Sequence, residues 1–176
     1  TFDPIHYGHL VMAQLALEKC QMDQLIFVPA GKPPHKVHNA ITPAYHRYRM
    51  AELALAPHSQ FRLSDVEVQK DKPSYTVDLL SHFSRQAPEA ELFLIMGGDS
   101  LLELESWYHY PDLFALGHLV VMKREGAPEE LFQEKCRLFR DKHGAAITVL
   151  SGLSLQVSSS GIRQLAGKQE LLRGLV

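Results

Sequence analysis

Two imidazoles three residues apart, His6 and His9, with glycine between them at Gly8, stand just before the chain's first stretch of helical periodicity. That spacing puts both rings on one side of a first helical turn, where backbone N–H groups lack intrahelical partners and the helix dipole favours anions. Gly8 lets a ligand approach the backbone closely. Imidazoles so placed can donate hydrogen bonds to phosphate oxygens, and with an ordinary pKa of about 6.5 they can be recruited as cations by the phosphate charge. The same pattern fits a helix-capping histidine with a surface neighbour, or half of a zinc site.

Four other segments could carry chemistry. Pro33-Pro34 stiffens a loop into an extended form, which presents Lys36 as a fixed point charge suited to a phosphate; a solvated loop lysine is the alternative. His35 and His38 are near enough to suggest a metal pair, but no third ligand lies nearby. Gly97-Gly98-Asp99-Ser100 follows an apolar run and opens a helix, as a nucleotide-binding turn does, without the spacing of the dinucleotide fingerprint. Asp99 could accept ribose hydroxyl protons, or serve as a plain N-cap. Ser158-Ser159-Ser160 precede Ile162-Arg163, so hydroxyls and N–H groups of a helix start face a guanidinium one turn later. Such an arrangement is a phosphate cradle, or else a capping serine on an ordinary helix. Trp107, the only tryptophan, stands beside Tyr108 and fits either a packing residue or a ligand platform.

Positioning these groups requires a scaffold, and the apolar pattern outlines one. Short runs rich in branched residues predict buried strands at Leu25–Val28, Leu92–Met96 and Leu119–Met122, with weaker candidates at Phe61–Val68 and Ile147–Leu150. Between them lie helical periodicities, first on Leu10, Ala13, Leu17 and Cys20, then on Tyr48, Met50, Leu53 and Leu55. Arg47 and Arg49 lie on this second helix, where one could reach the site, but the Tyr48–Leu55 face leaves them mostly as a solvated flank. Thr42-Pro43 supplies an N-cap and a first-turn proline, Ser74 and Asp99 mark the starts of the third and fourth helices, and Pro88 stops the third. Pro128–His143 is amphipathic and closed by Gly144. Alternating strands and helices with nearly all-apolar strands imply a parallel sheet covered on both faces, and right-handed crossovers make it doubly wound. In such α/β sheets ligands sit beyond the carboxyl ends of the strands. That rule selects the loops Thr1–Gly8, Ala30–Thr42, Gln69–Ser74, Gly97–Ser100 and Ser151–Ser160.

Composition bounds the rest. A chain of 176 residues with 18 Lys+Arg against 20 Asp+Glu, 45% hydrophobic, fits a single globular domain over 1–176. Cys20 and Cys136 form no Cys-x-x-Cys pattern, which argues against a disulfide framework or a cysteine zinc site and for buried thiols. No apolar run reaches the roughly 18 residues of a membrane helix and no secretory signal is visible, so a cytoplasmic address is expected. The near-neutral charge, without a basic stripe, makes a nucleic-acid groove unexpected.

Thr1-Phe2-Asp3-Pro4-Ile5-His6-Tyr7-Gly8-His9-Leu10 resembles the signature of the HxGH nucleotidylyltransferases, and more narrowly of the nicotinate-nucleotide adenylyltransferase branch. Four further segments are similar in the same order: Phe27 through Lys36, Pro73-Ser74-Tyr75-Thr76-Val77-Asp78, Ile95 through Ser100, and Val157 through Arg163. The resemblance implies a Rossmann-like fold whose first strand, ending in Gly-Gly, normally precedes Thr1. The sequence therefore reads as a fragment lacking that strand and a short C-terminal stretch.

The implied reaction is attack by the 5′-phosphate of nicotinate mononucleotide on the α-phosphorus of ATP, giving nicotinate adenine dinucleotide and pyrophosphate. The resemblance assigns His6, His9, Lys36 and Arg163 to catalysis. It assigns Thr1, Phe2, Gly8, His9, Gly97, Asp99, Ser158, Ser159, Ser160 and Arg163 to ATP, and Thr76, Trp107 and Tyr108 to the acceptor, with Trp107 stacking on the pyridine ring. Mg²⁺ is implied as a companion of the triphosphate, with no metal site on the chain itself. A sister enzyme acting on phosphopantetheine would share the histidine and serine-arginine motifs but would leave Trp107 and Thr76 unexplained. A non-catalytic nucleotide-binding module would keep the fold alone. A homo-oligomer is compatible with all three.

Overall fold

A computed structural model of the chain describes residues 1–34, 41–123, 129–151, 157–168 and 174–176. Helices and strands alternate: α1 (Tyr7–Lys19), β1 (Leu25–Phe27), α2 (Ala44–Leu55), β2 (Phe61–Leu63), α3 (Thr76–Gln86), β3 (Phe93–Gly97) and α4 (Gly98–Leu102). A 3₁₀ turn at Leu104–Ser106 follows, then α5 (Tyr110–Leu116), β4 (His118–Lys123), α6 (Glu129–His143), β5 (Ile147–Ser151) and α7 (Ser159–Gly167). Among the described residues the strand pairing is parallel, as mostly apolar strands joined by helical crossovers predict. None of these helices is long and apolar enough to cross a membrane.

Contacts divide the chain into two compact units, Thr1–Ser74 with Leu155–Val176, and Tyr75–Ser154. The first contains the pair β1–β2, with Leu25 opposite Phe61 and Phe27 opposite Leu63. Helix α1 buries Leu10, Ala13, Ala16 and Leu17, the expected stripe with Ala16 added, and Cys20 ends it half-buried as the C-cap. Helix α2 departs from expectation. Its buried face is Arg47, Ala51 and Leu55, spaced four apart, while Leu53 is 71% exposed. Arg47 is thus an interior residue and only Arg49 belongs to the solvated flank.

The second unit holds the sheet β3–β4–β5, with β4 in the centre; Leu119 pairs Ile147 and Val121 pairs Met96. Four consecutive residues of β4, Leu119 to Met122, are buried because both faces of a central parallel strand are covered. Their core includes Leu101, Leu104, Leu113, Phe132, Cys136 and Phe139. Helix α6 closes as read: Gly144 has φ of 63°, and the Ala145 N–H reaches back to the Phe139 carbonyl at 3.2 Å, the longer-range bond of a glycine-terminated helix end.

Three predicted helix starts shift. Pro43, not Thr42, is the N-cap of α2, and Tyr75, not Ser74, that of α3. At α4 the N-cap is Gly97, which places Asp99 in the first turn as an exposed carboxylate rather than a cap.

Candidate functional site

The histidine motif sits where α1 begins. His6 is the N-cap and is buried at 5% exposure, and its backbone N–H donates to Nδ1 of His9 at 3.2 Å. With Nδ1 accepting, the neutral His9 ring carries its proton on Nε2 and is a hydrogen-bond donor there. The two rings lie 3.8 Å apart and 32° from parallel. Gly8 is required by this packing, since a Cβ there would come within 3.0 Å of Cε1 and Nδ1 of His6. Fewer helix-start donors remain than the sequence suggests: the Tyr7 N–H bonds the Leu175 carbonyl and the His9 N–H bonds the His6 carbonyl.

The loop before the histidines is held from two sides. Ser159 donates its hydroxyl to the Pro4 carbonyl at 2.9 Å, and Arg163 Nη1 donates to the Asp3 carbonyl at 2.5 Å and lies 3.8 Å from the Asp3 carboxylate. Ser158 caps α7 by accepting from the Gly161 N–H at 3.1 Å, and Ser160 accepts from Arg163 Nη2 at 3.3 Å. Of the two readings its sequence allowed, the capping serine is observed at Ser158, while Ser159 spends its hydroxyl on the loop and Ser160 steadies a guanidinium whose side chain stays 45% exposed. On the other side stands Arg47, buried to 1%, and burial pushes its pKa down against the opposing pull of the Asp3 carboxylate. The sequence left open which of Arg47 and Arg49 would turn inward. The one available signal was its spacing of four and eight from Ala51 and Leu55.

Phe2 has a left-handed φ of 52°, and its ring meets His9 edge-on at 5.0 Å and Phe27 at 5.6 Å. The next loop of this unit is fixed by contact with the segment before α3. Ser74 accepts from the Gly31 and Lys32 N–H groups at 3.0 and 3.3 Å, and a Cβ on Gly31 would fall 2.1 Å from the Glu67 carbonyl oxygen. Lys36, His35 and His38 lie outside the described residues.

The second unit assembles the other predicted residues. Tyr75, just before Thr76 at the start of α3, stacks on Tyr108 at 4.3 Å and 28°, and this pair brings the Thr76 helix end beside the Tyr108 segment. Tyr108 is 51% exposed. Trp107 is half-buried against the core, as Phe114 is, so the packing role exists whatever else the indole does. At the carboxyl end of β3, a Cβ on Gly97 would meet none of the described residues within 4 Å, whereas one on Gly98 would pack on Phe132. Among the described residues no group of three or more His, Cys, Asp or Glu could hold a metal ion.

The cytidylyltransferase-like family matches residues 1–165. A protein of Clostridium acetobutylicum named "Probable nicotinate-nucleotide adenylyltransferase" is 38% identical over 176 residues, covering 100% of this chain and 88% of its own. One of the same name from Carboxydothermus hydrogenoformans is 37% identical, covering 93% and 81%. In fold the chain is similar to the Plasmodium falciparum nicotinic acid mononucleotide adenylyltransferase complexed with NaAD, with a TM-score of 0.76 at 19% identity, over 97% of this chain and 82% of that one.

Proposed function

We infer what this chain does from its place among known proteins: it belongs to the cytidylyltransferase-like family and, within it, to the nicotinate-nucleotide adenylyltransferases. Its reaction is adenylyl transfer from ATP to nicotinate mononucleotide, releasing pyrophosphate and forming nicotinate adenine dinucleotide, a step of NAD biosynthesis. The observation that carries this reading is the full-length likeness at 38% identity, and the His6–His9 geometry supports it. Because the family match runs through both compact units, we read residues 1–176 as one nucleotidylyltransferase domain.

The acceptor phosphate is ionised at neutral pH and needs no general base, so catalysis reduces to positioning and charge stabilisation. His9 donates from Nε2 to the α-phosphate as charge builds there, and His6, whose backbone fixes the His9 tautomer, holds its neighbour. Arg163 and Lys36 neutralise the departing pyrophosphate. Thr1, Phe2, Gly8, Gly97, Asp99 and the backbone N–H groups of Ser158, Ser159 and Ser160 form the remaining ATP contacts. Trp107 stacks on the pyridine ring while backbone groups at Thr76 and Tyr108 read its carboxylate, donors that an amide would leave poorly matched.

Mg²⁺ fits this chain as a companion of ATP. The His9 ring, protonated on Nε2 with Nδ1 engaged, is a donor suited to phosphate oxygens and is no metal ligand. When bound with the triphosphate, the ion would supply charge neutralisation.

The test is pyrophosphate release by the protein with ATP, Mg²⁺ and one acceptor at a time. Turnover with nicotinate mononucleotide and none with phosphopantetheine is expected. Turnover with phosphopantetheine alone would move the chain to a sister reaction, and none with either would leave a nucleotide-binding module.

A further inference from the structure

We propose that Arg47 is a positioning residue for adenylyl transfer, setting the orientation of the His9 ring through the backbone of Thr1 and the side chain of Phe2. Its role in turnover rests on the reaction inferred above; its hold on His9 does not. The guanidinium is 1% exposed and donates to backbone carbonyls only: Nε to Thr42 at 2.8 Å, Nη1 to Thr1 at 2.8 Å, and Nη2 to Ala30 at 2.5 Å and Gly31 at 3.1 Å. Four of its five N–H groups are thus spent on three separate stretches of chain. Those stretches are the loop leading to His6 and His9, the turn after β1 that continues toward Lys36, and the residue preceding the α2 cap.

Burying a cation this deeply is costly, and a structural need for hydrogen bonds alone would be met by a neutral donor. What the guanidinium supplies is a rigid planar fork that fixes several acceptors relative to one another. Thr42 shows how tightly the assembly closes, because its carbonyl accepts from Arg47 while its N–H donates to the Asp3 carboxylate at 3.4 Å. Asp3 in turn faces Arg163. Thr1 is therefore held by Arg47, and Asp3 and Pro4 by α7, so three carbonyls of one loop are clamped by two helices.

The clamp ends on His9. Phe2 lies between the held carbonyls of Thr1 and Asp3, takes a left-handed backbone conformation, and sets its ring edge against the imidazole. If Thr1 is released, Phe2 can relax to an extended backbone, and the edge contact that limits rotation of the His9 ring is lost. A displacement of about 1 Å at a catalytic group can cost of the order of 10²-fold in rate.

Arg47→Lys keeps the charge but has three donors on one atom, which cannot reach the Thr1, Ala30 and Thr42 carbonyls together. The expected result is a kcat 10- to 100-fold lower, a KM for nicotinate mononucleotide within threefold of the parent, and imidazole ¹⁵N shifts showing His9 moved from the single Nε2–H tautomer to a mixture. The nitrogen shifts are read on the folded protein without substrate, so they decide the positioning claim even if the parent turns over neither acceptor. A His9 spectrum identical to the parent's would overturn the proposal, as would a loss of rate equal to the unfolded fraction. Should Arg47→Lys not fold, Phe2→Leu decides, since it leaves every Arg47 bond in place and removes only the aromatic edge. An unchanged His9 tautomer and unchanged kcat in Phe2→Leu would equally sink the relay.

Discussion

Three residues around the first helix turn illustrate how much of a side chain's behaviour is set by its immediate neighbours. His9 is made a donor by the backbone N–H of its own cap residue, and Gly8 is small because the His6 ring occupies the volume a Cβ would need. His9→Ala should lower kcat by about 10²–10³-fold, the scale of one lost transition-state donor, with little change in melting temperature. A near-normal turnover number would dismiss the role given to this ring. Trp107 gives a second test, because the only indole in the chain reports directly on whatever stacks against it. Nicotinate mononucleotide should quench or shift its emission, and Trp107→Ala should raise the KM for that substrate about tenfold, base–aromatic stacking being worth roughly 1–3 kcal/mol. An indole blind to the mononucleotide, with only a lower melting temperature in the variant, would leave Trp107 as the core residue its packing already makes it.

At the scale of the element, two glycines that look alike in sequence should behave oppositely. Gly31 stands where a Cβ would strike the Glu67 carbonyl oxygen at 2.1 Å, and backbone cannot swing aside as a side chain can. Gly31→Ala should therefore cost about 1–3 kcal/mol, the usual range for overpacking, read as a shift in the urea midpoint. Gly97 faces open space, so Gly97→Ala should cost under about 1 kcal/mol while raising the KM for ATP. Equal destabilisation of the two variants would show that neither space is as described. The same loops explain what the sequence made legible. Strands announced themselves because a parallel sheet buries both faces, leaving runs such as Leu119 to Met122 with no polar residue. Helix starts slipped by one or two residues because a capping side chain can be recruited from afar: the Ser74 hydroxyl serves the Gly31 and Lys32 amides, more than forty residues away in sequence. The face of α2 was misread for a related reason. Periodicity counts arginine as polar, whereas Arg47 is interior because four carbonyls, three of them distant in sequence, satisfy it. The His6–His9 contact and the Ser158 cap were legible because each lies within one helix turn, whereas the bonds of Ser159 and Arg163 to Pro4 and Asp3 span more than 150 residues and left no local mark.

For the molecule as a whole, Cys136 offers a measure of stability that needs no substrate. It is fully buried on α6 among Phe132, Phe139 and Leu113, and desolvation raises its thiol pKa, an effect the nearby Arg140 only partly opposes. Cys20, half-buried at the end of α1, is raised for the same reason. Below the ordinary thiol pKa of about 8.5, folded and unfolded chains both carry these protons, and the thiols leave stability unchanged with pH. Above it the unfolded chain releases protons that the folded chain retains, so the unfolded state binds fewer and stability falls as pH rises. The loss begins at the unfolded value and levels off only once pH passes the raised folded one. The urea midpoint should accordingly be lower at pH 9.5 than at pH 7, and the difference should shrink in Cys136→Val, a comparison that cancels the tyrosines and lysines common to both proteins. Thiol labelling provides the independent reading: under native conditions Cys20 should react first, and Cys136 only at the rate at which the core of its unit opens. If both cysteines label together in the absence of denaturant, the α6 face is not closed over β4 in solution, and the alkaline dependence would vanish with it.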